Sequence, residues 1–262
     1  MRRMMLAFLV ALAVAVPLRA DVTIVQTTTG KGGPIGLDGE SVTMLKGGKM
    51  RVESVMRGKR TITIIDLDKQ QFISINEDKK EAEVTDVSAI AQSMQMFKAE
   101  DVRARVTPTG NKKQVLGYDA AEYEMNVVVP FQLPEGGGSD MQLSVSMGGP
   151  VWVSKNAPGL ADYQAFYRTA AEKGFVLGDP RQAKAAPGQA KGMLELYRKM
   201  AEAGVPLITT IQMKFEGGGP MAGMMSRMGG MNITSTVTKI TEGPIDDAMF
   251  TVPAGFKVKQ QR

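Results

Sequence analysis

The sequence predicts an α+β fold, an extended antiparallel sheet with helices on one face. Three observations predict it. Period-two alternation of apolar and polar residues recurs along most of the chain, the mark of a half-buried strand. Glycine, asparagine and charged pairs fall between the alternating stretches at hairpin spacing. Helical periodicity is confined to one short segment and one later pair, so the helices are few and grouped.

The first 20 residues read as a removable leader. Arg2 and Arg3 form a basic start, Met4 to Val16 is an uninterrupted apolar run, and Pro17-Leu18-Arg19-Ala20 supplies a break and a small residue at the cut. The run is too short for a transmembrane helix, which needs about 20 apolar residues. A single domain over 21–262 is then expected, starting near Asp21 and exported, either to a periplasm or out of the cell. Removing the leader takes three arginines, so 32 basic residues fall to 29 against 27 acidic, a net charge of +2.

Val22 to Thr28 is short and β-branched, a first strand. Gly30 to Gly39 carries five glycines and a proline, so it reads as a loop. Ser41 to Leu45 is a second strand, and Gly47-Gly48 turns it into the organising stretch, Lys49 to Asp86. That stretch reads as a four-strand meander with turns at Arg57-Gly58-Lys59, Asp68-Lys69 and Glu77 to Lys80. Ile62, Ile64, Ile65, Phe72, Ile73 and Ile75 put apolar side chains on both faces of its central strands, so both faces are expected to be covered.

Val87 to Phe97 reads as a short helix capped by Ser88, with Ile90, Met94 and Phe97 on one face. Val102 to Pro108 and Lys113 to Leu116 are two short strands split by Thr109-Gly110-Asn111. Asp119 to Val129 and Met141 to Met147 alternate cleanly, with a glycine-rich connection between them, and Val151-Trp152-Val153 is a short strand. Leu160 to Lys173 and Ala190 to Ala203 are amphipathic helices ended by Gly174 and Gly204. Pro180 to Gly188 between them is small, polar and mobile. Leu207 to Phe215 and Asn232 to Thr241 return to strand, and Ile245 to Val258 closes the chain. A sheet of this size curls under its own twist, and helices in its hollow leave an apolar cleft.

The chemistry excluded is broad. With no His and no Cys there is no Ser-His-Asp triad, no thiol nucleophile, and no imidazole or thiolate metal site. Gly136-Gly137-Gly138 and Gly217-Gly218-Gly219 lack the Lys-Ser/Thr of a phosphate loop. Glu122 with Glu124, and Asp246 with Asp247, read as solvated faces and turns. No basic patch is interleaved with aromatics, so nucleic acid is not an expected partner. The expectation is a protein without catalysis and without cofactor.

Two features point to binding. Met125, Val127, Leu143, Val145, Trp152, Phe166, Leu196 and Met200 are the expected lining of a hydrophobic cleft between sheet and helices, for an acyl chain, a lipid, a lipoprotein or an apolar peptide. The bland alternative for Trp152 and Phe166 is core packing. Met221, Met224, Met225, Met228 and Met231 put five thioethers within eleven residues. Soft sulfur ligands suit Cu(I) where His and Cys are missing; the alternative is a mobile apolar flap. A third alternative is an envelope structural or interaction module that binds another envelope protein.

The meander with Ile64 to Lys69 and Phe72 to Asn76, Val151 to Ser154 leading into Pro158-Gly159, and the end Met249 to Phe256 resemble the periplasmic lipoprotein-carrier (LolA-like) superfamily. They resemble more closely an uncharacterised bacterial domain-of-unknown-function family related to it. The resemblance implies a large curved antiparallel sheet, a half-barrel, with helices covering the concave face and acyl chains held in the hollow of carrier relatives. The chain departs from the carriers in its longer helix pair and its Met-Gly loop.

Overall fold

The computed structural model of the chain describes residues 21–31, 38–95, 103–131, 143–175, 177–185, 187–217 and 231–261. The strands are β1 (Val22–Lys31), β2 (Gly39–Lys46), β3 (Lys49–Met56), β4 (Lys59–Asp66), β5 (Gln71–Asn76) and β6 (Glu81–Asp86). They continue as β7 (Arg103–Val115), β8 (Tyr118–Phe131), β9 (Leu143–Ser154), β10 (Val205–Gly217), β11 (Met231–Glu242) and β12 (Lys257–Gln261). The helices are α1 (Ser88–Gln95), α2 (Leu160–Glu172), α3 (Pro180–Ala185) and α4 (Pro187–Ala203).

All twelve strands join one curved, unclosed sheet in the order β12-β6-β5-β4-β3-β2-β1-β11-β10-β9-β8-β7. Two runs of hairpins meet where β1 pairs with β11 in an antiparallel register from Val22↔Glu242 to Lys31↔Asn232. The first strand of the chain therefore sits inside the sheet. The sheet departs from the all-antiparallel expectation at one edge, where β12 runs parallel to β6. Lys257 and Lys259 on β12, and Arg105, Lys112 and Pro108 on β7, charge or interrupt the two edges, which discourages pairing with another chain.

The meander forms as its pattern requires. Arg57 (φ 53°) and Gly58 (φ 72°) both take positive φ, the condition for a tight turn that matches strand twist. Both of its faces are covered. On one face Met50, Ile65 and Phe72 join the main core with Val87 before α1 and with Phe166, Phe175 and Ala183 from the helical layer. On the other, Ile62, Ile64, Ile73, Ile75, Ala82 and Val84 receive Phe250, with Ile245, Met249, Val252 and Phe256 around it. The closing segment, including a single 3-10 turn at Asp247–Phe250, is thus a strap across the outer face.

Four local expectations are corrected. The two short strands around Gly110 are one strand, β7, with a bulge between Pro108 and Lys112. The expected strands at Met141 to Met147, of which residues 141 and 142 lie outside the described residues, and Val151 to Val153 are also one strand, β9 (Leu143–Ser154), because Gly148-Gly149 does not break it. A Cβ at Gly148 would stand 2.5 Å from the Met125 carbonyl oxygen, and one at Gly149 2.5 Å from that of Thr210. The glycines are there to let three strands come close. Pro180 to Gly188 is not loop: it holds α3, whose start is fixed by the Asp179 carboxylate accepting from the Arg181 amide at 2.9 Å. Asp86, rather than Ser88, supplies the carboxylate at the start of α1, accepting from the Ser88 amide at 2.9 Å.

The helix ends follow the glycines. At the end of α2 the Gly174 amide (φ 64°) donates to the Ala171 carbonyl and the Phe175 amide to the Ala170 carbonyl at 2.7 Å. That reciprocal pair closes the helix and drops Phe175 into the core.

Candidate functional site: a hollow on the helix face of the meander

Strand register sets the site. Cross-strand partners on one face form parallel rows, because side chains alternate with period two. The first row is Met50, Ile65, Phe72 and Thr85. The second is Val52, Thr63, Ser74 and Glu83, and the third begins with Ser54 and Thr61. The first row runs under the helical layer, where Met50, Ile65 and Phe72 are buried. In the second Val52, Thr63 and Glu83 are half-exposed and Ser74 is exposed, and Thr61 in the third is exposed, so apolar character fades along the face.

The far wall is the end of the connection between α2 and α3 together with the first residues of α3. Leu177, Gly178, Asp179, Pro180 and Arg181 face rows one to three across a hollow of about 360 Å³. That volume is at the low end of the range for small-molecule sites. Leu177 packs on the main core, which anchors the wall. Arg181 is held in a two-point pair by Asp179, its Nη2 and Nε donating at 2.9 and 3.1 Å. Hydrogen bonding from Arg181 lowers the Asp179 carboxyl from its ordinary range, against a smaller upward push from burial.

A second cavity, of about 660 Å³, lies at the outer end of the β7–β8 hairpin. Its floor is Ala120, Ala121, Val153 and Ala203, and Lys112, Lys113 and Lys155 stand around it. The Lys113 ammonium sits 3.9 Å above the Trp152 ring. Trp152 is half-buried against the core, so its stacking partner in the structure is a lysine of the same chain.

The eight expected cleft residues divide. Met125, Val127, Leu196 and Met200 meet in one buried cluster with Val151, Val153 and Ala203, beneath α4. Phe166 belongs to the main core, with Trp152 packed on its margin. Leu143 and Val145 lie on β9 opposite Phe131 and Val129, and their side chains fall outside the described residues. Among the described residues, none of the other six lines either cavity described above. The methionine loop also lies outside the described residues, except that Met231 begins β11 opposite Met213.

The pattern in the meander carried a signal for the hollow. Met50 and Val52 share a face by period two, and so do Thr61, Thr63 and Ile65. Hydroxyl residues in the middle of an otherwise apolar face mark a place where the cover ends.

Between α2 and α4 lies an aromatic group. Tyr167 has ring centroids 4.6 Å from Tyr163, 5.5 Å from Phe166 and 5.8 Å from Tyr197. Burial pushes the phenols of Tyr163, Tyr167 and Tyr197 above the ordinary value of 10. Among the described residues no three His, Cys, Asp or Glu side chains stand close enough to hold a metal ion, and no helix is long and apolar enough to cross a membrane.

No curated protein matches the chain. Among solved structures it is similar to an uncharacterised conserved protein from Thermus thermophilus, at 10% identity and TM-score 0.42, over 93% of this chain and 92% of that one. It is also similar to a domain from Vibrio parahaemolyticus named for outer membrane lipoprotein sorting, at 8% identity and TM-score 0.30, over 88% and 89%. A third likeness is to PNGF-II, at 10% identity and TM-score 0.36, over 92% of this chain but 31% of that one. Residues 34–192, more than half of the chain, match the family described as a domain of unknown function (DUF4412), and the chain belongs to that family.

Proposed function

We propose that this is an exported protein without catalytic activity that binds a single apolar chain, an acyl chain of a lipid or lipoprotein, in the hollow between β3–β6 and the wall at the start of α3. The observation that carries the proposal is the hollow itself. Its inner rows are Met50, Val52, Ile65 and Phe72, and Leu177 faces them across open space. Apolar surface left beside a core, and not filled by any described side chain, gains about 25 cal/mol for each Å² a ligand covers. The leader at residues 1–20 supports export, and the lack of His and Cys supports binding without catalysis.

The test is native mass spectrometry of the protein purified from its own envelope fraction. A co-purifying lipid, lost in a Val52→Trp variant that fills the hollow, supports the proposal. A protein that carries no lipid, and whose stability is unchanged by delipidation, contradicts it.

A further inference from the structure

The hollow has a polar half that the apolar-chain reading does not use. Thr61, Thr63, Ser74 and Thr85 all line it. None of the four forms a side-chain hydrogen bond with another described residue. Thr63 and Ser74 are direct cross-strand partners, so their hydroxyls stand side by side one row out from Ile65 and Phe72. Each can donate one hydrogen bond and accept two.

The charges beside these hydroxyls do not favour an anion. Glu83 is the next member of the same row, opposite Ser74. Arg181 is the cation of the lining, and its guanidinium is already engaged at two points by Asp179. A carboxylate or phosphate placed over Thr63 would meet Glu83 and Asp179, with the one cation among the described lining residues occupied.

We propose that the ligand of this hollow is an amphiphile whose apolar chain lies along Met50, Ile65 and Phe72 and whose uncharged, hydroxyl- or amide-bearing head is read by Thr63 and Ser74. The inference rests on the apolar-chain reading and deepens it by naming the head. Chain and head are ordered by the sheet: the chain goes under the helices, and the head stays at the open rows.

Calorimetric titration of the purified protein with a saturated monoacylglycerol and with the fatty acid of the same length tests it. The monoacylglycerol is expected to bind about tenfold more tightly, the worth of one or two net hydrogen bonds. In a Thr63→Val/Ser74→Ala variant that preference should vanish while the fatty acid still binds. Glu83→Gln should tighten the fatty acid alone. Equal or tighter binding of the fatty acid to the native protein overturns the inference and leaves the apolar-chain reading standing. A preference that survives in the double variant also overturns it, because the head is then read elsewhere. Failure of both probes to bind overturns the inference and the reading beneath it.

Discussion

Gly159 shows how little room single positions have. It caps the start of α2 with φ 73°, and a Cβ there would stand 2.4 Å from Cγ2 of Val22, a fully buried residue of β1. Its amide donates to the Glu242 carboxylate at 2.5 Å, so helix start and sheet centre are joined at one point. Gly159→Ala should cost about 1–3 kcal/mol through overpacking and a strained φ, read by denaturant unfolding. Glu53 is the second such position. Burial would raise its carboxyl, but hydrogen bonds from Arg60 and Arg51 outweigh that and hold it below its ordinary value of 4.5. Arg51 in turn donates to the Met249 carbonyl at 2.8 Å, which fixes the strap. A lowered folded value means the stabilisation is present above pH 4.5 and is lost as pH falls below it. Stability below pH 4.5 should therefore fall less steeply in Glu53→Gln than in the native protein. Parallel curves would show that Glu53 is not the coupled group. The role of Gly159 is not legible in the sequence, since Glu242 is 83 positions away, and neither is the link from Arg51 to Met249, 198 positions away on a strap whose path the pattern does not define.

At the scale of elements, the strongest local patterns were the most faithful. The meander and the glycine-ended helices follow from period, turn residues and φ > 0 sites, all of which are local. The merged strands β7 and β9 were not legible, because Gly148-Gly149-Pro150 reads as punctuation until its neighbours are known. The strand β12 was missed because Lys257 to Gln261 carries one apolar side chain, Val258, which stays exposed; it pairs with β6 through the backbone and through the Lys259–Glu81 ion pair at 2.8 Å. The strap before it was legible only as apolar residues near the end, without a partner. Phe250 fills the outer face of the meander and is 4% exposed, so Phe250→Ala should cost about 3–5 kcal/mol in thermal or denaturant unfolding. A loss below about 1 kcal/mol would mean that the strap rests on the face without sealing it. The α2–α4 contact makes a separate prediction. Folded phenols raised above 10 stabilise the fold fully below pH 10, and that contribution is lost as pH rises. Of five tyrosines, three should ionise only together with unfolding when tyrosinate absorbance is followed into alkali.

For the whole molecule, the fold class was legible, and the hollow was legible only as hydroxyl residues within an apolar face. Alternation and sparse helices define a large sheet with helices on one face, and the sheet has them. They also predict which side chains turn inward, and Met125, Val127, Leu196 and Met200 do so. Inward-facing residues pack on each other wherever the helix above them is long enough, as α4 is over β7 and β8. The hollow on the meander arises where the cover stops short, at the thin wall of Leu177 to Arg181. That depends on where α2 ends and how the chain returns, which no alternation pattern records. Methyl NMR of the protein titrated with a monoacylglycerol tests the central claim most directly. Shifts at Val52, Ile65 and Leu177, with Val127 and Leu196 unmoved, are the predicted result. Shifts confined to Val127 and Leu196, or no shifts at all, would contradict a binding site in the meander.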